Sequence, residues 1–120
     1  MNLAIVGSRE YTNYEEFKSL LEKSLIGNIS KVKLVVTGGA KGVDSMAEKW
    51  AADKKIETKI FLPLYKSSYD PGAPLKRNSQ IVEASNIMVA FVAPNSRGTL
   101  DSIKKAEKKG IVVKIHYINT

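Results

Sequence analysis

The chain has 120 residues, no cysteine, 43% hydrophobic residues and a net charge of +7. This length favours one domain over 1–120, and the composition is typical of a folded globular protein. The lack of cysteine excludes disulfides and thiolate chemistry, and the single histidine, His116, leaves no cluster for a transition metal. Without a membrane-length apolar stretch or a secretory leader in the sequence, we expect a cytoplasmic protein with no membrane partner.

Apolar, β-branched runs alternate along the chain with amphipathic segments. The runs predict strands at 2–6, 32–36, 57–62, 86–91 and 111–115, each suited to burial on both faces. The segments between them predict helices at 13–26, 43–54, 75–84 and 99–109. This alternation favours a Rossmann-like three-layer α/β sandwich, with a five-stranded parallel sheet in the order 3-2-1-4-5 and four helices.

Three of these strands end in glycine-containing turns that lead into helices. Backbone N–H groups at a helix start are unpaired and the helix dipole is positive there, so such turns can hold phosphate. In the order 3-2-1-4-5 the turns flank the switch point, where ligands bind beyond the carboxyl ends of the strands. The predicted nucleotide-binding residues are Gly7, Ser8, Arg9, Gly38, Gly39, Gly42, Asp44, Arg77, Asn78, Arg97, Gly98 and Thr99.

The middle turn departs from both common nucleotide motifs. A Walker A loop would have Ser or Thr after Lys41, and a dinucleotide fingerprint would have glycine in place of Thr37. We therefore predict no ATP hydrolysis and no NAD cofactor. We also predict no metal site, because the chain has no cysteine and one histidine, and no catalytic residue. Asp44 either caps its helix or accepts hydrogen bonds from a ribose or from Arg77, and Thr99 either caps the last helix or faces the site.

The lysines of the last helix and the segment 63–74 can each be interpreted in two ways. The lysines at 104, 105, 108 and 109 either complement the dipole of the last helix or form a nucleic-acid surface. The proline-rich segment 63–74 is either a flap over the crevice or a plain surface connection.

The ordered set Gly7-Ser8-Arg9, 38–44, Arg77-Asn78 and Arg97-Gly98-Thr99 resembles the SLOG superfamily, which joins DprA (SMF) proteins to the Lonely-guy proteins. Within it the chain is most similar to the small YspA-like (cpYpsA-related) branch, over nearly its whole length. The resemblance implies a Rossmann-like fold that binds a nucleotide or nucleotide-derived ligand through the matching residues. It also implies a homo-oligomer and raises the prospect of a signalling ligand.

The main hypothesis is a binding module for a small nucleotide derivative. One alternative is DprA-like binding of single-stranded DNA, supported by the positive charge and by Tyr65 and Tyr69 as stacking platforms. A second is Lonely-guy-like hydrolysis of a nucleoside monophosphate. That chemistry is disfavoured because Ser102 stands where the family's catalytic glutamate would be, and Asp101 is rotated from it by about 100° on a helix.

Overall fold

A single parallel sheet organises the molecule. The computed structural model describes residues 1–64 and 72–119. Within them, five strands lie in the order β3-β2-β1-β4-β5, which confirms the predicted fold class and strand order. The elements are β1 (Asn2–Gly7), α1 (Tyr14–Ser24), a short 3-10 helix (Ile29–Lys31), β2 (Leu34–Thr37), α2 (Val43–Asp53), β3 (Glu57–Ile60), α3 (Ala73–Glu83), β4 (Ile87–Val92), α4 (Arg97–Lys109) and β5 (Val112–Tyr117).

All predicted strand and helix boundaries lie within two residues of the observed ones. Local chemistry explains several helix ends: the Asn13 side chain caps α1 by accepting from the Glu16 N–H, and α4 stops at Gly110, whose φ of 88° is left-handed. The third helix begins at Ala73, earlier than predicted. Arg77 and Asn78 therefore lie in its second turn rather than near its start.

The core consists of two layers, one on each face of the sheet. Alternate strand residues point to opposite faces, so Leu3 and Ile5 face one layer while Ala4 and Val6 face the other. The first layer packs strand residues against α1 and α2, with Phe17, Leu21, Val43, Met46, Ala47 and Trp50 buried. The second packs them against α3 and α4, with Ile81, Val82, Ile103 and Ala106 buried.

Burial on both faces, expected of all five strands, is confirmed only in the centre of the sheet. The side chains of β1 and β4 are almost wholly buried, but most of those on β3 and β5 are exposed. Both exposed strands are edges, and the two helices on each face shield mainly the central strands. Both edge strands also carry charged residues, Glu57 and Lys59 in β3 and Lys114 in β5, in keeping with this exposure.

We expect Leu25→Ala to lower the free energy of unfolding by about 2–5 kcal/mol, because it removes a buried side chain from the first core layer. The neighbouring Ile26→Ala is the matched control: Leu25 is 1% exposed and Ile26 is 75% exposed. The control should change stability by less than about 0.5 kcal/mol. Urea unfolding measures both, and similar losses in the two variants would contradict this assignment of the core.

Candidate functional site

A pocket opens at the carboxyl edge of the sheet, where β1 and β4 lie side by side. Gly7 at the end of β1 is in register with Phe91 of β4, so the loops after both strands border the same space. The pocket has a volume of about 510 Å³. We call it the switch-point pocket. Of the predicted residues, its lining includes Gly7, Ser8, Arg9, Asp44, Arg77, Asn78, Arg97, Gly98 and Thr99.

Three predicted glycines, Gly38, Gly39 and Gly42, are absent from this lining. Gly42 instead packs against the main chain of the loop after β1. Its φ of 71° disfavours other residues, and a Cβ there would lie 2.4 Å from the Ser8 carbonyl oxygen. The adjacent Val43 N–H donates to that same oxygen at 3.1 Å. The loop after β2 therefore supports the loop after β1, and from this loop it is Ala40 that reaches the pocket.

Arg77 is a buried cation in the pocket wall. Its Nη1 donates to the Gly38 carbonyl oxygen at 2.8 Å, and its Nε donates to Asn78 Oδ1 at 3.0 Å. A Cβ on Gly38 would stand 2.2 Å from that Nη1, so glycine is what allows the guanidinium to lie against the main chain. Arg77 thereby joins α3 to the loop after β2.

Asn78 joins the same helix to α4. Its Nδ2 donates to the Gly98 carbonyl oxygen at 3.2 Å and to Asp101 Oδ2 at 3.1 Å. The amide of Asn78, one of the predicted nucleotide-binding residues, thus makes hydrogen bonds within the protein through both its oxygen and its nitrogen. Its observed role is to position the start of α4.

The Asp44 carboxylate is buried beside this cluster. It accepts a hydrogen bond from the Ala40 N–H at 3.2 Å. Burial raises the pKa of Asp44, and the Ala40 N–H and the positive Arg77 partly oppose that rise. The Thr37 hydroxyl is close enough to lower this pKa as well, although among the described residues it has no hydrogen bond of ordinary geometry. Asp44 lies in the first turn of α2 and Gly42 occupies the cap position, without a side-chain cap hydrogen bond. Of the predicted partners, Arg77 is near enough for its positive charge to act on the Asp44 carboxylate.

Arg9 and Arg97 are the exposed cations of the lining. Arg97 is the first residue of α4, and the N–H groups of Gly98 and Thr99 belong to its first turn, where a helix supplies no internal partners. Of the two roles considered for Thr99, the structure does not show capping, because α4 begins earlier and Ser96 occupies the cap position. Thr99 instead lines the pocket.

Ser102 lies one turn after Thr99, on the face of α4 that lines the pocket. Asp101 points elsewhere, accepting from Lys105 Nζ at 2.7 Å and from Asn78. The expected rotation between these two neighbours is observed, so no carboxylate stands at the position of the Lonely-guy glutamate. Glu10, Pro74 and Ser96 also line the pocket, although they are not among the predicted binding residues. The only signal in the sequence is their proximity to the predicted motifs.

Two of the four α4 lysines bind the neighbouring helix. Lys105 Nζ donates to the Leu75 carbonyl oxygen at 2.7 Å, and Lys109 Nζ donates to the Val82 and Glu83 carbonyl oxygens at 3.2 and 3.0 Å. The latter carbonyls close the C-terminal end of α3, where a cation suits the dipole. Lys109 therefore complements the dipole of α3 and not only that of its own helix, α4. Lys104 and Lys108 are exposed.

Other predictions lie at the limits of the described chain. The proposed flap over 63–74 falls largely on residues 65–71, and with it Tyr65 and Tyr69, outside the described residues. Across 1–64 and 72–119, no group of three or more His, Cys, Asp or Glu side chains is arranged to hold a metal ion. The helices of those same ranges include none with the length and apolar character of a membrane span.

We expect Gly42→Ala to lower the free energy of unfolding by more than about 1 kcal/mol, because of its positive φ and its contact with the loop after β1. Gly98→Ala is the control, since a Cβ at Gly98 meets open space. Its stability should stay the same or rise by up to about 1 kcal/mol. Chemical denaturation of both proteins compares them, and equal stability would refute the role given to Gly42.

Asp44→Asn should become more stable relative to the wild type as pH rises. The pKa of Asp44 is raised above 3.8 by folding, so folding favours its protonated form. That contribution is fully present below pH 3.8 and is lost as pH rises through the folded-state pKa. Unfolding free energies measured from about pH 3 to about pH 7 test this. A difference between the two proteins that does not vary with pH would contradict it.

Comparison with known proteins identifies the family. The protein-family model described as DNA recombination-mediator protein A matches residues 1–71 of this chain. The Gene 61 protein of Mycobacterium phage D29 is 30% identical over 118 residues, covering 91% of this chain and 90% of its own length.

Solved structures of DNA processing protein A share the fold. The Helicobacter pylori protein, described for its single-stranded DNA binding mode, superposes with a TM-score of 0.71 at 20% identity, over 96% of this chain and 64% of its own. The Streptococcus pneumoniae protein gives 0.55 at 18% identity, over 93% of this chain and 57% of its own. The chain thus spans less than two thirds of each structure. With the family model matching more than half of its length, this chain belongs to the DNA recombination-mediator protein A family.

Proposed function

We propose that the protein binds single-stranded nucleic acid, with the phosphate backbone held at the switch-point pocket. The observation that carries this proposal is the pair of exposed arginines, Arg9 and Arg97, beside the first turn of α4. The family and the DNA-binding mode described for the Helicobacter pylori relative support single-stranded DNA over the small nucleotide that the sequence alone favoured.

The division between buried and exposed cations supports a phosphate contact. Arg77 is buried and donates hydrogen bonds to Gly38 and Asn78, so its charge stabilises the wall of the switch-point pocket. Arg9 and Arg97 remain accessible to solvent and each offers a planar fork of donors suited to phosphate oxygens. The N–H groups of the α4 first turn add donors and a positive dipole at the same place.

Positive charge outside the pocket favours a nucleic-acid strand over a mononucleotide as the ligand. The net charge is +7, and Lys104 and Lys108 continue the positive surface along α4. A nucleic-acid strand that contacts several of these cations releases counterions, so its affinity falls with salt. A mononucleotide bound only within the pocket gains little from the distant lysines.

A nucleotide-derived small molecule remains the second candidate, because the pocket volume of about 510 Å³ is that of a small-ligand site. The same arginines would hold its phosphate. The YspA-like branch and a homo-oligomer, both implied by the resemblance, also remain predictions.

We expect Arg97→Ala and Arg9→Ala each to weaken binding of a single-stranded oligonucleotide by about 1.5–3 kcal/mol, because each removes a charge-assisted hydrogen bond. Each should also reduce the slope of log affinity against log salt by about 0.7. Fluorescence anisotropy over a salt series measures both effects. Lys33→Ala is the control, since it removes one charge just before β2, at the opposite edge of the sheet.

Unchanged affinity in both arginine variants would refute the proposed site. Competition with nucleoside monophosphates separates the two candidates. If a monophosphate displaces the oligonucleotide weakly and the salt slope is steep, the polymer is the ligand. If a mononucleotide binds as tightly as the oligonucleotide, with little salt dependence, the second candidate replaces the first.

A further inference from the structure

A second cavity lies beside the switch-point pocket at the same edge of the sheet. It has a volume of about 460 Å³ and is bordered by the loop after β1, the first turns of α1 and the residues at the end of β5. We call it the Tyr117 cavity, lined by Glu10, Tyr11, Thr12, Asn13, Glu16, Leu20, Tyr117, Ile118 and Asn119. Glu10 borders both cavities, so they are neighbours separated by one loop.

The ring of Tyr117 is an accessible aromatic surface at this cavity, and the main chain of this residue is held by the sheet. Tyr117 is 80% exposed, although it ends a strand in register with Val92 of β4. The next residue, Ile118, is buried and donates its N–H to the Val92 carbonyl oxygen at 2.9 Å. The main chain on both sides of Tyr117 is therefore held by the sheet while its side chain faces solvent.

The opposite wall is acidic and ordered by hydrogen bonds. The Tyr11 phenol donates to the Glu16 carboxylate, and the Glu16 N–H donates to Asn13 Oδ1 at 3.1 Å. Burial raises the pKa of Tyr11, so its phenol stays protonated and remains a donor. A carboxylate has about four acceptor positions, so Glu16 can accept a further donor from a ligand.

These groups suit a base and not a phosphate. The carboxylates of Glu10 and Glu16 repel a phosphate, but they accept from the exocyclic amino group of cytosine. Thymine presents an oxygen acceptor at the equivalent position, which a carboxylate does not bind. An exposed tyrosine ring supplies the kind of stacking surface that single-strand-binding proteins use for bases.

The separation of the two cavities fits one continuous strand. From β1 to β5 the sheet advances by two strand spacings, about 10 Å in total. A phosphate held at Arg9 or Arg97 therefore places a nearby nucleotide within reach of Tyr117.

We propose that the Tyr117 cavity is a nucleobase subsite, in which Tyr117 stacks on a base while Glu10 and Glu16 accept its amino group and so favour cytosine over thymine. This proposal rests on the proposed function, because it assigns a second point of contact to the same single strand.

The test is fluorescence anisotropy with labelled oligo(dC) and oligo(dT) of about 12 nucleotides. The wild type should bind oligo(dC) more tightly. Tyr117→Ala should weaken oligo(dC) binding about tenfold and bring the two affinities together, because the stacking that seats the base is lost. Tyr117→Phe keeps the ring and should bind like the wild type. Glu10→Gln should reduce the preference for oligo(dC), since an amide accepts or donates equally well.

Val112→Ala is the matched control, because Val112 is 58% exposed and lies at the other end of the same strand. The subsite is refuted if Tyr117→Ala behaves like this control, if Tyr117→Phe loses as much affinity as Tyr117→Ala, or if the wild type binds oligo(dC) and oligo(dT) equally. Arg97→Ala separates the two proposals. If it weakens oligonucleotide binding and Tyr117→Ala does not, only the subsite fails. If both Arg97→Ala and Arg9→Ala leave the affinity unchanged, or if neither oligonucleotide binds, the proposed function fails as well.

Discussion

The buried guanidinium of Arg77 is the contact on which the candidate site depends. It binds the Gly38 carbonyl of the loop after β2 and the amide of Asn78, which in turn binds Gly98 at the start of α4. Three segments distant in sequence are thereby held around one pocket. Burying a charge requires hydrogen bonds and nearby opposite charge, and the structure supplies both, the latter from Asp44.

This arrangement gives glycine a different purpose from the one that a phosphate-binding motif suggests. Gly38 makes room for a guanidinium, and Gly42 lets two loops pack main chain against main chain. Polar groups that interact within the protein therefore build the wall of the pocket. The groups free to meet a ligand are the arginines at its rim and the N–H groups of a helix start, which together suit an anion.

The carboxyl edge of the sheet carries two kinds of surface. Around β1 and β4 it is basic, because Arg9 and Arg97 follow those strands. Towards β5 it becomes aromatic and acidic, because the edge strand leaves Tyr117 uncovered next to the start of α1. A single strand of nucleic acid has a charged backbone and flat bases, so these two surfaces correspond to its two chemical parts.

The sequence by itself determined the fold class, the order of the elements and the loops that border the pocket, because hydrophobic periodicity and glycine turns are local signals. Only the tertiary structure decided that Gly38 makes room for Arg77, that Gly42 packs against the loop after β1, and that Asn78 contacts the start of α4. It also brought Tyr117 beside Glu16, a pairing with no local signature. These features depend on which distant segments meet, and that is settled only when the sheet and its helices pack together.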